Sequence, residues 1–330
     1  MESRGAAAGA GDAARFGQPV AAAGHAGKRG NRVELPPGTL AAGRARGVCP
    51  VSSPGAARTR WTGVAGRAGR SARRPQPAEK PQHVVDLAYP YFIARFPVTV
   101  AQWREYAERS GRPVDDDRRL HGRPNDPVVS INWHEARCFC DFLTQAWRGV
   151  LPNGFVVTLS SEAEWEKAAR GGERIPVEHE WVTLPRLQAK LETAAIHRPN
   201  PFPTRAYPWG ESFDAGRANA EPIIGETSAV GCYSTGASPY GCEDLSGNVW
   251  EWTRSLWSQD WKEPEFGYPY GPDDANRENL AAGDDVWRVL RGGSWDLRRA
   301  FARCASRFWF RPHIRYDFGF RVVLRSAPVS

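Results

Sequence analysis

The stretch SPYGCEDLSGNVWEW, residues 238–252, decides the fold. It mixes Gly, Pro, Ser and Asn with Tyr and Trp. It has no helical apolar period, so it predicts loops with short strands. The same texture runs from Tyr207 to Trp257. Such a region orders many residues for few ladder hydrogen bonds, and something has to offset that entropy. Burial of Trp and Tyr is one source. A bound cation that satisfies unpaired carbonyls is another. Asp244 and Glu251 are hard oxygen donors with Gly247 between them, which is sensible calcium chemistry. The plain alternative is that both carboxylates only cap and hydrogen-bond the loop.

Upstream, the pattern is helical. In FPVTVAQWREYAERSG, Thr99 and Gln102 form a capping box, Val100, Trp103, Tyr106 and Ala107 share a face, and Gly111 ends the run. DPVVSINWHEARCFCDFL predicts a short extended run and a second amphipathic helix from Trp133. In VTLSSEAEWEKAARGG, Ser161 and Glu164 form another capping box, and Gly171 and Gly172 stop the helix. Residues 173–206 are less regular: LPRLQAKLETAA reads as an exposed helix and HRPNPFPTRA as a Pro-rich connector. Downstream, WRVLRGGSW and FGFRVVLR read as strands flanking a long irregular loop.

The net charge of +7 belongs to one end of the chain. Residues 1–80 carry 14 Lys/Arg against 4 Asp/Glu, whereas the remainder carries 30 against 33. The body is therefore slightly acidic and is not expected to bind nucleic acid. Residues 1–80 hold only Phe16 and Trp61 as aromatics, among Ala, Gly, Arg, Pro and Ser. That segment reads as low-complexity and disordered, or as mistranslated GC-rich DNA, since those residues share GC-rich codons. Residues 81–330 read as one domain. The six cysteines lack CxxC spacing, no apolar run reaches 18 residues, and the N-terminus has no secretory layout. These features predict buried free thiols in a cytoplasmic protein with no membrane partner.

FPVTVAQW, DPVVSINWHEA, LSSEAEWEKAARGG, YPWG, SPYGCEDLSGNVWEW, RVLRGGSW and GFRVV follow one another in this chain. In that order they resemble the formylglycine-generating enzyme (sulfatase-modifying factor) domain family. The resemblance spans residues 83–325, and VELPPGTLAAG, residues 33–43, looks like the family's opening strand. It implies an α+β class and a variant C-type-lectin fold, loop-rich, with a small twisted antiparallel sheet and two main helices. It also implies calcium held by Asp244, Gly247, Val249 and Glu251, and a second site starting at Asn219 and Ala220. The downstream acidic ligand of that second site is not readable, because EPIIGETS matches poorly; Glu221 is a candidate.

The family's oxidases carry two redox-active cysteines after GGS, which bind copper and oxidise a substrate cysteine to formylglycine. The matching positions here are Leu297 and Ala302. Neither side chain ligates copper or exchanges disulfides, and Cys304 falls on a scaffold position. The resemblance therefore implies a domain without the oxidase chemistry. Related iron enzymes need a histidine triad, and the seven histidines show no HxxxH or HxH spacing.

Within WDLRRAFARCASRFWFRPHIRYDF, Arg303, Arg307 and Arg315 are suited to holding the loop on carbonyls and carboxylates. Asp296, Leu297, Arg298, Phe301, Phe308, Trp309, Phe310, His313, Ile314, Tyr316 and Asp317 form a heterogeneous set suited to binding a protein or small ligand. Three consecutive rings on an extended chain cannot share one side, so at least one of Phe308, Trp309 and Phe310 is expected to point outward. This end also resembles the variable proteins of bacterial diversity-generating retroelements, in which such a loop is rewritten. An ordinary drifted family member, an active enzyme of the superfamily and an accessory sensor domain of a signalling system remain open readings.

Overall fold

Thr99 and Ser161 each start a helix by the reciprocal capping that their spacing predicts. The computed structural model describes residues 48–50, 60–63, 77–112, 117–193, 195–271 and 274–327. Thr99 precedes α1 (Val100–Ser110): its hydroxyl accepts the Gln102 N–H, and the Gln102 side chain accepts the Thr99 N–H. Gly111 ends α1 at φ 65°, a left-handed conformation that a Cβ resists. The same capping starts α2 (Trp133–Ala146) from Asn132 with Glu135, and α3 (Glu162–Arg170) from Ser161 with Glu164. Val100, Trp103, Tyr106 and Ala107 are the buried face of α1, as their spacing predicts. Trp103 stacks on Phe139 of α2 at 5.8 Å, and both rings meet Phe320 edge-on.

Two four-stranded sheets organise the rest. One has the order β1 (Val48–Pro50), β4 (Tyr91–Ala94), β12 (Val322–Ser326) and β5 (Phe155–Leu159), antiparallel throughout. The other has the order β10 (Arg307–Phe310), β9 (Arg288–Arg291), β8 (Trp250–Leu256) and β11 (Phe318–Phe320). In that sheet β11 runs parallel to β8, whereas the other two pairings are antiparallel. The predicted strand FGFRVVLR is thus two strands, β11 and β12, and the chain changes sheets at Arg321. Two small pairs complete the sheets: β2 (Arg60–Gly63) with β3 (His83–Asp86), and β6 (Arg174–Pro176) with β7 (His197–Pro199). The supposed Pro-rich connector therefore contains a strand. The supposed exposed helix begins with a 3-10 turn (Leu184–Arg186) and continues as α4 (Leu187–Leu191), with Leu184 and Leu187 buried.

SPYGCEDLSGNVWEW is loop up to Val249 and then enters β8. Tyr240, Leu245, Val249, Trp250 and Trp252 are all buried, which is the aromatic and apolar burial that a loop-rich region needs. The Trp252 indole N–H donates to the Ile131 carbonyl, and that of Trp133 to the Thr253 carbonyl, both at 2.8 Å. The disorder or mistranslation expected of residues 1–80, and the resemblance at residues 33–43, lie outside the described residues apart from β1, β2 and a turn at Pro77–Glu79. No helix among the described residues is long and apolar enough to cross a membrane.

Candidate functional site

The loop between β9 and β11 is held from below by α3. Glu162, Glu166 and Arg170 are four residues apart and share a helix face, and all nine residues of α3 are buried. Arg307 grips Glu162 with two nitrogens, Nε at 2.6 Å and a terminal nitrogen at 2.8 Å. Arg291 bridges Glu162 (3.1 Å) and Glu166 (2.6 Å) and also donates to the Cys304 and Ala305 carbonyls. Burial alone would raise the Glu162 carboxyl. The Arg307 and Arg291 guanidiniums outweigh it and hold the group below its ordinary range. Arg303 takes both oxygens of buried Glu79, at 2.6 and 2.8 Å, and Arg307 also donates to the Ala78 carbonyl. Arg315 pairs with Glu135 of α2 at 2.9 Å. The arginines expected to hold the loop do so. Which carboxylates they meet is not readable from the sequence, because the Glu residues of a helix such as α3 ordinarily form a solvated face.

The eleven residues expected to bind a ligand divide into two groups. Leu297, Phe301, Phe308, Phe310 and Ile314 are half-buried and pack against the main core. Trp309 is half-buried too, stacked on Trp257 at 3.7 Å and 4°. The irregular loop contains a strand, β10, in the stretch RFWF. Along it Phe308 and Phe310 face Trp250 and Phe318, each at 5.1 Å, while Trp309 faces the opposite way. None of the three rings is exposed, contrary to expectation, because both faces of this edge strand are partly covered. Asp296 and Asp317 are half-buried, and Asp296 accepts from the Ser294 hydroxyl. The outward surface consists of Arg298, His313 and Tyr316, together with Arg315. EPIIGETS adjoins it: the Glu221 N–H donates to the Leu297 carbonyl, and its carboxylate accepts the Arg299 N–H and Nε. Glu221 therefore clamps this loop.

The two sets of expected metal ligands lie against each other. A Cβ on Gly247, where φ is 81°, would sit 2.2 Å from the Asn219 carbonyl oxygen. Asn219 donates its side-chain amide to the Glu226 carbonyl and the Ser228 hydroxyl, and Ala220 is buried. Asp244 has φ 55° and accepts the Gly231 N–H at 3.0 Å. Burial pushes its carboxyl up to about 6, against the Gly231 hydrogen bond and the Arg321 charge. Glu251 is differently placed: Arg321 takes its two oxygens at 2.6 and 2.7 Å, and the Trp165 indole N–H adds a third bond at 2.7 Å. Of the two carboxylates in this set, Glu251 thus already has a cation of its own, whereas Asp244 is held by a backbone N–H. Among the described residues no group of three or more His, Cys, Asp or Glu comes together as a metal cluster.

The chain matches the model of the sulfatase-modifying factor enzyme 1-like domain over residues 30–326. It belongs to that family. It is 32% identical over 255 residues to the hercynine oxygenase of Mycolicibacterium smegmatis, covering 73% of this chain and 54% of that protein. It is 30% identical over 274 residues to the serine/threonine-protein kinase pkn1 of Chlamydia caviae, covering 76% of this chain and 35% of the kinase. The chain thus spans about half or less of these curated relatives. Among solved structures, PvdO from Pseudomonas aeruginosa superposes with a TM-score of 0.54 at 22% identity, over 89% of this chain and all of PvdO, which supports the fold. A Treponema denticola variable protein superposes with a TM-score of 0.49 at 20% identity, over 84% of this chain and 94% of that one.

In this member of the sulfatase-modifying factor family, Leu297 and Ala302 flank a 3-10 turn, Arg299–Phe301. Ala302 is buried with Ala206, Tyr207 and Ala220, and its carbonyl accepts the Ser246 hydroxyl at 2.7 Å. Cys304 is fully buried, and burial pushes its thiol up to about 12. Its N–H donates to the Ala206 carbonyl and its own carbonyl is held by Arg291, so its backbone is part of the scaffold.

Proposed function

We propose that this domain binds a protein or small ligand through the outward side of residues 295–318 and does not carry out copper-dependent cysteine oxidation. The observation that carries this reading is a loop fixed by buried ion pairs, with Leu297 and Ala302 where the family resemblance puts redox cysteines. Copper(I) selects thiolates, and those two side chains offer no lone pair. Cys304 is a single thiol kept protonated by burial. A fixed scaffold bearing Arg298, His313 and Tyr316 gives polar and aromatic contacts at low entropic cost. The likeness to hercynine oxygenase favours a second reading, an oxygenase of the superfamily. That reading needs metal ligands which the described histidines do not bring together.

Selection from a random peptide library against the immobilised domain tests the surface. Selected peptides should lose affinity about tenfold or more, ~1.4 kcal/mol, when Arg298, His313 and Tyr316 are all changed to alanine. The Tm should stay put, because exposed substitutions rarely move stability by more than ~0.5 kcal/mol. Equal affinity for parent and triple variant would sink the proposal.

Calcium belongs to the same proposal. Asp244 would hold it through its carboxylate, and Gly247 and Val249 through their carbonyls. The ion would supply the positive charge that lets Asp244 ionise. Without a cation the folded Asp244 pKa, about 6, lies above the unfolded value. Its stabilising contribution is then present below the unfolded value of about 3.9 and is lost as pH rises to the folded one. Chelation should therefore lower the Tm by about 5 °C or more near pH 7.5, for calcium roughly 100-fold above its Kd. Near pH 5, where protons compete with the ion for Asp244, the drop should be about half as large or less. A Tm indifferent to chelator at the higher pH removes calcium from the account.

A further inference from the structure

A recess lined by none of the residues 295–318 lies between the β6–β7 pair and the segment 201–239. It is a cleft of about 390 Å³ lined by Arg198, Arg205 and Arg217 together with His179, Phe202 and Trp209. Four prolines contribute to its wall, and no carboxylate among the described residues lines it. Its size falls within the range of small-molecule sites, about 300–1,000 Å³.

The three guanidiniums are not neutralised in the same way. Arg205 is buried and donates to the carbonyls of Phe202 and Pro208, both at 3.0 Å, and to the Asn200 side-chain oxygen at 2.6 Å. These are neutral acceptors, so its charge is solvated but not cancelled. Burial pulls its pKa down, and Glu211, which does not line the cleft, opposes that only in part. Arg217 gives Nε to Asp214 at 3.0 Å and one terminal nitrogen to the Thr235 carbonyl at 3.1 Å. Its other terminal nitrogen has no acceptor among the described residues. Arg198 is exposed and has no ion-pair partner among them.

The apolar lining is unusual for a free surface. Phe202 is 55% exposed, and Val177, at 50%, lies beside it in the same cleft. Trp209 is fixed rather than mobile: it stacks on Tyr207 at 5.4 Å, and its indole N–H donates to the Ser212 carbonyl. His179 is fixed too, against Trp181 at 5.0 Å. A preformed recess with excess positive charge and exposed rings suits an anion joined to a flat apolar body.

We propose that this cleft is a binding site for a small organic anion, an aromatic carboxylate or phosphate monoester, with Arg198 and Arg217 engaging the charged group and Phe202 and Trp209 the ring. The site shares no lining residue with the loop surface, and its fate does not depend on that reading.

Isothermal titration of the full chain with phenyl phosphate, benzoate, uncharged benzamide and inorganic phosphate tests it. At least one aromatic anion should bind, better than both benzamide and inorganic phosphate. Phenyl phosphate above benzoate assigns a phosphate ligand, and the reverse a carboxylate. Arg198→Gln and Arg217→Gln should each weaken binding about tenfold, the loss expected for one charge-assisted hydrogen bond. Both residues are at least partly exposed, so their Tm values should match the parent and report that the fold is intact. The proposal is overturned if neither aromatic anion binds at roughly ten times a millimolar Kd. Equal binding of benzamide, equal binding of inorganic phosphate, or unaltered affinity in both variants also overturns it.

Discussion

Glu162→Gln should lower stability by about 3–5 kcal/mol, the usual effect of removing one partner from a buried ion pair. At about 2–4 °C per kcal/mol for a domain of this size, the Tm should fall by on the order of 10 °C. The size follows from the geometry: one fully buried carboxylate faces both Arg307 and Arg291, and those two side chains are fully buried as well. Glutamine keeps the volume and some hydrogen bonding but leaves the arginine charges inadequately balanced in a low-dielectric interior. The direction with pH is fixed. The folded Glu162 pKa is held down, so its contribution is present above the unfolded value of about 4.3 and is lost as pH falls through the lower folded value. The parent should lose this contribution in acid, and the variant should have little of it to lose. The pair Lys190–Glu180, whose carboxylate is exposed, is the control, because Glu180→Gln should change stability by at most ~1 kcal/mol. If chemical unfolding shows the two substitutions to be equal, the buried network does not hold the loop.

Arg321→Met should destabilise by a similar or larger amount, about 3–5 kcal/mol for the stranded Glu251 alone. Arg321 stands between β11 and β12, where the chain changes sheets. Besides Glu251 it donates to the carbonyls of Ala94, Arg95, Glu243 and Asp244, so it ties the end of β4 and the 243–244 turn to the sheet junction. The double variant Arg321→Met with Glu251→Met offers a sharper check. Removing both charges eliminates the uncompensated carboxylate, so the double variant should be more stable than Arg321→Met alone. A double variant that is less stable would mean that Glu251 supports the junction without Arg321, through the Trp165 indole N–H, and that a stranded carboxylate is not what the single variant suffers from.

Some of this was legible in the sequence, for physical reasons that can be named. Capping boxes are local, so Thr99 with Gln102 and Ser161 with Glu164 located two helix starts without tertiary information. The aromatic, glycine-rich texture of SPYGCEDLSGNVWEW announced loops pinned by buried rings, which is how Tyr240, Trp250 and Trp252 sit. Strands β6 and β7 were missed because three residues each, RIP and HRP, carry no readable alternation. RFWF was read as loop because its partner β9 is distant in spirit from any hairpin signal: 15 residues separate Arg291 from Arg307. The site was harder still. Which face of EAEWEKAAR meets which arginine is a tertiary fact, and the pairing of Glu251 with Arg321 joins residues 70 apart. The clamp from Glu221 to Arg299 joins a poorly matching loop to the loop it supports, and nothing local marks it.

The most direct test of the central claim is oxidation of a CxPxR-type peptide by the purified chain, supplied with copper(I), a thiol reductant and dioxygen, and followed by mass spectrometry. Leu297, Ala302 and buried Cys304 predict that the peptide cysteine stays intact and that no formylglycine forms. Formylglycine accumulating in proportion to the amount of enzyme and the time would contradict the account, because it would require a copper site that these residues do not provide.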